Sequence, residues 1–237
     1  MENNVLQQKT KNMMTIQPIA YFHSPLTSKF GIPRQSGIAD SLSGTIEFVE
    51  AFRAPESLRG LEGFEYIWII WGFSENVNAT KHPTVRPPRL GGNVRQGVFA
   101  TRSPFRPNNL GLSSVRVVEV AANSPSGPVI RVTGADLMDG TPIYDIKPYL
   151  PEFDSHPSVR AGFVNDNVWT PLKVIFMPSA DINLLSANDM ECITQLLSQD
   201  PRPHYHSSAD RIYGMPYKSF DIRFRVTDGT AEVISIQ

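Results

Sequence analysis

Two arginines bracket a phenylalanine in the stretch Arg95-Gln-Gly-Val-Phe-Ala-Thr-Arg-Ser-Pro-Phe-Arg-Pro-Asn-Asn-Leu-Gly-Leu112. Arg102 and Arg106 set two guanidinium forks beside the Phe105 ring, a pairing that suits a ligand with an anionic part and a flat part. Pro104 and Pro107 remove two backbone donors and fix φ, so the loop is stiff and is not a helix. Gly111 lets the backbone come close to a partner before the next apolar run. From Asn76 to Val118 there is no Asp or Glu. The same window holds Lys81, Arg86, Arg89, Arg95, Arg102, Arg106 and Arg116, seven cations in a chain of formal net charge −1. Positive charge gathered into one segment is the footprint of an anionic partner, either nucleic acid or a charged cofactor. A solvated surface turn would account for any one of these arginines taken alone.

Other chemistry is sparse. Cys192 is the only cysteine, which excludes an internal disulfide and a multi-cysteine metal site. It lies in a helical pattern and reads as a small packed side chain. His204, His206 and Asp210 are the one arrangement that could make a metal hydrolase, but His-x-His is common and no third ligand has fixed spacing. No Gly-x-Gly-x-x-Gly follows a strand, so a nucleotide-like ligand would not be held in the Rossmann manner. No window approaches 18 continuous apolar residues, the length of a membrane-crossing helix. Residues 1–14 lack the apolar stretch of a signal peptide. They read as a disordered lead or a misassigned start, and a reducing, cytoplasmic setting follows.

These residues must be positioned by strands. Alternating or continuous apolar runs predict strands over 16–23, 43–52, 64–73, 98–101, 113–121, 129–134 and 142–146. The run 64–73, with three Ile and two Trp, is the expected central strand. Residues 83–92 carry too much Pro and Gly to form an element. Short strands with Pro/Gly punctuation and no long helix predict a mainly β fold, a small barrel or sandwich. Near residue 168 the texture changes. A strand at 173–177 precedes Ser186-Ala-Asn-Asp189, which resembles a capping box. Met190, Ile193, Leu196 and Leu197 then make one face of a helix. Alternation in 220–226, Asp228-Gly229 and the run 232–236 predict a hairpin. The expected organisation is a β-barrel domain at 15–155 and a small α+β domain at 168–237. Truncation after about Asn167 is expected to leave a folded barrel that still binds its small ligand but acts poorly on its larger, nucleic-acid partner. Composition leaves open a non-catalytic nucleic-acid-binding barrel, as well as the metal hydrolase.

Five motifs in order carry a resemblance. They are Gly31-Ile-Pro-Arg-Gln35, Gly60-Leu-Glu-Gly63, Pro83-Thr-Val-Arg-Pro-Pro-Arg-Leu-Gly-Gly92, Gly97-Val-Phe-Ala-Thr-Arg-Ser-Pro-Phe-Arg-Pro-Asn109, and Asp139-Gly-Thr-Pro142 with Asp145-Ile-Lys-Pro-Tyr149. Together they resemble the TsaA/TrmO-like family of tRNA methyltransferases, with a continuation in Asp200-Pro-Arg-Pro203 and Tyr213-Gly214. The resemblance implies a non-Rossmann β-barrel that binds S-adenosylmethionine (SAM), and a homodimer. It implies N-methylation of N6-threonylcarbamoyladenosine next to the anticodon in threonine tRNA.

Carried over motif by motif, the resemblance implies that Pro33, Arg34 and Gln35 form the first cofactor-contacting loop. Ser74 and Glu75 stand where many members have a His followed by a polar residue. Arg102 matches the arginine of the central motif, Leu112 an apolar contact, and Asp136, Leu137, Met138 and Asp139 the last cofactor segment. Asp139 and Asp145 are the candidates for a general base. Arg106, Arg202, Tyr205 and Tyr213 are candidates on the tRNA side, with a tyrosine stacking on a loop base.

Overall fold

The run around Trp68 becomes the middle of the fold because its two faces are used differently. In a computed structural model, which describes residues 14–76, 80, 82–125, 127–167, 169–203 and 210–237, Ile67, Ile69 and Trp71 are buried and the intervening side chains are not. That alternation is the pleat of a strand with one face on a core. The first eight strands are β1 (Ala20–His23), β2 (Ser43–Phe48), β3 (Tyr66–Gly72), β4 (Thr84–Val85), β5 (Gln96–Gly97), β6 (Leu110–Ala121), β7 (Val129–Thr133) and β8 (Thr141–Pro148). Six of them close into a barrel in the order β1-β2-β7-β6-β3-β8, with every neighbouring pair antiparallel. Closure removes the sheet edges. Phe22, Ile46, Ile67, Ile69, Ile130 and Ile143 fill its interior.

Two local expectations change. Residues 98–101 do not form a strand: Val98–Ala100 is a 3-10 turn, and Thr101 closes it by donating both its N–H (3.2 Å) and its hydroxyl (2.9 Å) to Val98 O. The pairing instead falls one step earlier, where β5 meets β4, so the Pro/Gly-rich segment 83–92 does contribute a two-residue strand.

The C-terminal unit is a four-stranded sheet packed on one helix. Its strands are β9 (Lys173–Phe176), β10 (Tyr213–Tyr217), β11 (Phe220–Thr227) and β12 (Thr230–Ile236), in the order β10-β11-β12-β9. The expected hairpin is β11–β12, turning at Asp228-Gly229. The helix Ala187–Ser198 starts with the full capping box of Ser186 and Asp189. Strand β10 escaped sequence reading because Tyr-Gly-Met-Pro-Tyr contains both strand breakers. It lies on the sheet edge, where Pro216 costs no ladder bond.

The core of this unit is not made by the C-terminal residues alone. Leu26, Ala39 and Leu42 belong to it, with Phe30 and Ile32 packed against it. The whole loop 24–42, between β1 and β2, is folded onto the second unit. Lys218 N donates to Pro25 O at 2.8 Å. Ser41 N donates to Gln195 Oε1 at 3.1 Å and Gln195 Nε2 to Asp40 Oδ1 at 3.2 Å. Gly31 holds φ 93°, and a Cβ there would lie 2.6 Å from Met215 Sδ, so only glycine fits. The division in sequence near 155–168 is crossed in space by this loop. Among the described residues no helix is long and apolar enough to cross a membrane.

Candidate functional site

Loop 24–42 and the segment 134–140 after β7 are stapled together by their backbones. Gly37 N donates to Gly134 O (2.8 Å), Gly134 N to Leu42 O (3.0 Å) and Asp139 N to Leu26 O (2.9 Å), and Gly140 N donates to Phe22 O of β1 just before the loop (2.8 Å). This brings Arg34 and Gln35 beside the Asp136 segment. The central loop then reaches over: Arg102 Nη1 donates to Gln35 Oε1 at 2.5 Å. Arg102 also acts electrostatically on Asp136, and the Ser36 backbone N–H donates to the same carboxylate. Three segments distant in sequence therefore meet at Gln35, Arg102 and Asp136.

Asp136 is the guarded member. Burial pushes its carboxyl pKa up, while hydrogen bonds from Ser113 and the backbone, and the charge of Arg102, pull it back. Ser113 Oγ donates to Asp136 Oδ1 at 2.5 Å and accepts the Trp71 indole N–H at 3.0 Å. Neither Ser113 nor Trp71 was singled out from sequence. The available signal was a serine at an inward, alternating position, in line with Val115 and Val117 on the apolar face of the strand.

The remaining expected residues take varied places. Arg34 donates to Asp200 O at 2.9 Å and lies 4.4 Å over the Trp169 ring. Burial lowers its pKa and Asp200 raises it. Leu137 is fully buried in the barrel core, so only its backbone can face a ligand. Met138 offers a carbonyl that already accepts from Thr141 Oγ1 at 2.7 Å. Asp139 Oδ1 accepts Ser24 N at 3.0 Å and lies 3.4 Å from His23 Nδ1. Ser74 and Glu75 form a 3-10 turn with Asn76, tied to loop 24–42 by Lys29 Nζ, which donates to Glu75 O (3.0 Å) and Asn76 Oδ1 (2.9 Å). Leu112, exposed, and Asp145 flank Ile70 on the neighbouring strands. Asp145 Oδ1 accepts its neighbour's Ile146 N–H at 3.0 Å.

Three of the residues expected on the tRNA side are otherwise engaged. Arg106 Nη1 donates to Thr101 O (2.6 Å) and Val98 O (3.3 Å), bracing the central loop from within. Arg202 makes a two-pronged pair with Asp200, at 2.7 and 2.9 Å, so its charge is already matched. Tyr213 does not offer a ring for base stacking. It is 6% exposed and forms a three-ring cluster with Phe30, at 6.3 Å, and Phe224, at 5.6 Å, with the Arg211 guanidinium 5.4 Å from its ring. A ring so buried packs the core of the C-terminal unit. Tyr205, His204, His206 and Lys81 lie outside the described residues. Among the described residues no group of three His, Cys, Asp or Glu could hold a metal. Cys192 is fully buried and burial pushes its thiol pKa up to about 11, which makes it a packing residue.

The fold and site are thus a closed antiparallel barrel with an arginine and a guarded carboxylate at one cluster, beside an acid-free basic loop. The chain belongs to the tRNA-methyltransferase O family: the family's N-terminal domain matches residues 21–155 and its C-terminal domain residues 170–237. It is 37% identical over 228 residues to the tRNA (adenine(37)-N6)-methyltransferase of Escherichia coli K12, covering 93% of this chain and 97% of that one. It is 40% identical to the protein of that name from Eikenella corrodens, covering 73% and 97%. The crystal structure of TrmO from Pseudomonas aeruginosa superposes with TM-score 0.76 at 31% identity, covering 95% and 97%. The chain is thus a member of an enzyme family, and the non-catalytic barrel that composition left open finds no support.

Proposed function

We propose that this protein transfers a methyl group from SAM to the N6-side nitrogen of N6-threonylcarbamoyladenosine at position 37 of threonine tRNA. The observation that carries the reading is the meeting of Gln35, Arg102 and Asp136 in a chain matched along both halves by one methyltransferase family. The donor chemistry fits SAM, which has a carboxylate, an ammonium and ribose hydroxyls. Arg102 suits the carboxylate, and Asp136 or Asp139 the ammonium or hydroxyls. Asn109 Oδ1, buried and without a hydrogen-bond partner among the described residues, is a further acceptor for an N–H group. When bound, the cofactor supplies an electrophilic methyl on a sulfonium.

The protein's own part is chiefly positioning, since an in-line attack gains most from holding the two centres at near-attack distance. The attacking nitrogen loses a proton as it gains the methyl. Asp139 and Asp145 are the carboxylates proposed to accept that proton, each with one oxygen already accepting a backbone N–H at 3.0 Å. Arginines of the acid-free window meet the threonyl carboxylate and the tRNA phosphates, which makes tRNA affinity fall steeply with salt. Phe99, 78% exposed, Phe105, 44%, and Leu112, 57%, give the central loop region an apolar surface that supports a homodimer. The enzyme works in the cytoplasm.

Nucleoside mass spectrometry of tRNA tests this directly. Cells lacking the gene should retain unmethylated threonylcarbamoyladenosine, and the purified protein with SAM should methylate that tRNA but not the same tRNA bearing plain adenosine. Equal turnover on both would refute the role given to the carboxylate.

A further inference from the structure

Behind Asp136 stand two buried polar side chains that the proposed reaction does not itself employ. Trp71 lies near the end of β3 at 6% exposure and Ser113 lies on β6 at 2%. The indole N–H reaches Ser113 Oγ at 3.0 Å, and Ser113 Oγ reaches Asp136 Oδ1 at 2.5 Å. Chemistry sets the direction of this chain. An indole nitrogen only donates, so the serine oxygen accepts, and its single proton is left for the carboxylate.

The backbone is shaped around the contact. Trp71 and Gly111 are directly opposed in the β3–β6 register, and a Cβ at Gly111 would overlap the indole. The ring therefore lies across the bare backbone of β6 and reaches Ser113, two residues on and on the same face. Phe73 holds the indole edge-on at 4.3 Å.

We infer that Trp71 and Ser113 are positioning residues, a hydrogen-bonded wire that sets the orientation and ionisation of Asp136 in the cofactor site. The inference rests on the reading of Asp136 as a cofactor contact. Ser113 holds one carboxylate oxygen, Ser36 N–H also donates, and Arg102 is the charged group acting on it. Burial favours the protonated acid and these partners favour the anion. Removing the serine proton leaves burial less opposed, so Asp136 would hold its proton to higher pH and lose its fixed aim. A chain that merely satisfies buried polar atoms would affect stability and nothing more.

The test is calorimetric binding of SAM to the full-length protein across mildly acidic to neutral pH. Ser113→Ala should weaken binding at neutral pH by roughly tenfold, the scale of one hydrogen bond to a charged group. It should also move the acid-side loss of affinity to higher pH, and Ser113→Thr should restore both. Asp136→Asn should remove the acid-side dependence. If Ser113→Ala lowers the melting temperature yet leaves the acid limb where the wild type has it, the wire is refuted. If Asp136→Asn weakens binding while Ser113→Ala does not, the wire fails and the cofactor reading stands. Unchanged affinity in Asp136→Asn overturns both. Should Ser113→Ala not fold, Trp71→Phe decides: it keeps the ring and removes the donor that directs the serine proton, and an unmoved acid limb there also refutes the wire.

Discussion

Deleting residues 168–237 should disable cofactor binding, although the residues that carry the cluster at Gln35, Arg102 and Asp136 all lie in the N-terminal part. The deletion strips away the surface on which loop 24–42 is folded. Leu26, Ala39 and Leu42 are 0%, 1% and 2% exposed, and all three sit in the core of the C-terminal unit. Exposing a buried leucine forfeits roughly 1.5–3 kcal/mol, so the two leucines together lose roughly 3–6 kcal/mol. Against a total stability of about 5–15 kcal/mol, that is enough to release the loop. Arg34 loses Asp200 O and the Trp169 ring as well. The barrel core of Phe22, Ile46, Ile67 and Ile69 lies elsewhere and stays closed. The expected result is a truncated protein that unfolds cooperatively, shows reduced exchange protection over residues 26–42, and binds SAM at least about tenfold more weakly, a loss of about 1.4 kcal/mol. A truncated protein that keeps full SAM affinity with a protected loop would refute the reasoning. Insolubility would show that the barrel also depends on the second unit.

Arg102→Ala, folded, should weaken SAM binding by at least about 1.5 kcal/mol, the scale of a charge-assisted hydrogen bond; unchanged calorimetric affinity would remove Arg102 from the site. Asp189 is held at about 2 because hydrogen bonds from Lys218, Ser186 and Tyr217 outweigh the burial that would raise it. Its folded pKa lies below the unfolded value of about 3.9, so its stabilisation, roughly 2–3 kcal/mol, is present above about pH 4 and lost as pH falls toward about 2. Denaturant titrations of Asp189→Asn should show lower stability at neutral pH and a shallower fall on acidification; an unchanged acid slope would count against the network. Cys192 should resist thiol reagents in the native protein and react readily in denaturant, because its thiol is fully buried with a pKa of about 11. Rapid native labelling would contradict the packing.

What the sequence determined by itself was periodic and local. Alternation of period two marked the barrel strands and the β11–β12 hairpin, Ser186 and Asp189 announced the helix start, and the missing acids between Asn76 and Val118 marked the basic surface. Each of these is decided within a few residues, by side-chain spacing, a cap or local charge. The motif order likewise pointed to the family before any coordinates. Tertiary structure decided how those residues are used. Arg102 and Arg106 are indistinguishable by type and setting, yet one reaches across to Gln35 and the other braces its own loop. Tyr213 looked available for a base until Phe30, from a loop far away in sequence, packed against it. Loop 24–42 gave no sign that its leucines complete the C-terminal core, since hydrophobicity states that a side chain will be buried and not against what. Ser113 could be placed on an inward face by alternation, but its bond to Asp136 required β6 and the segment after β7 to meet. Strand periodicity assigns a face, whereas partners follow from the order in which strands close the barrel, and that order is a property of the assembled chain.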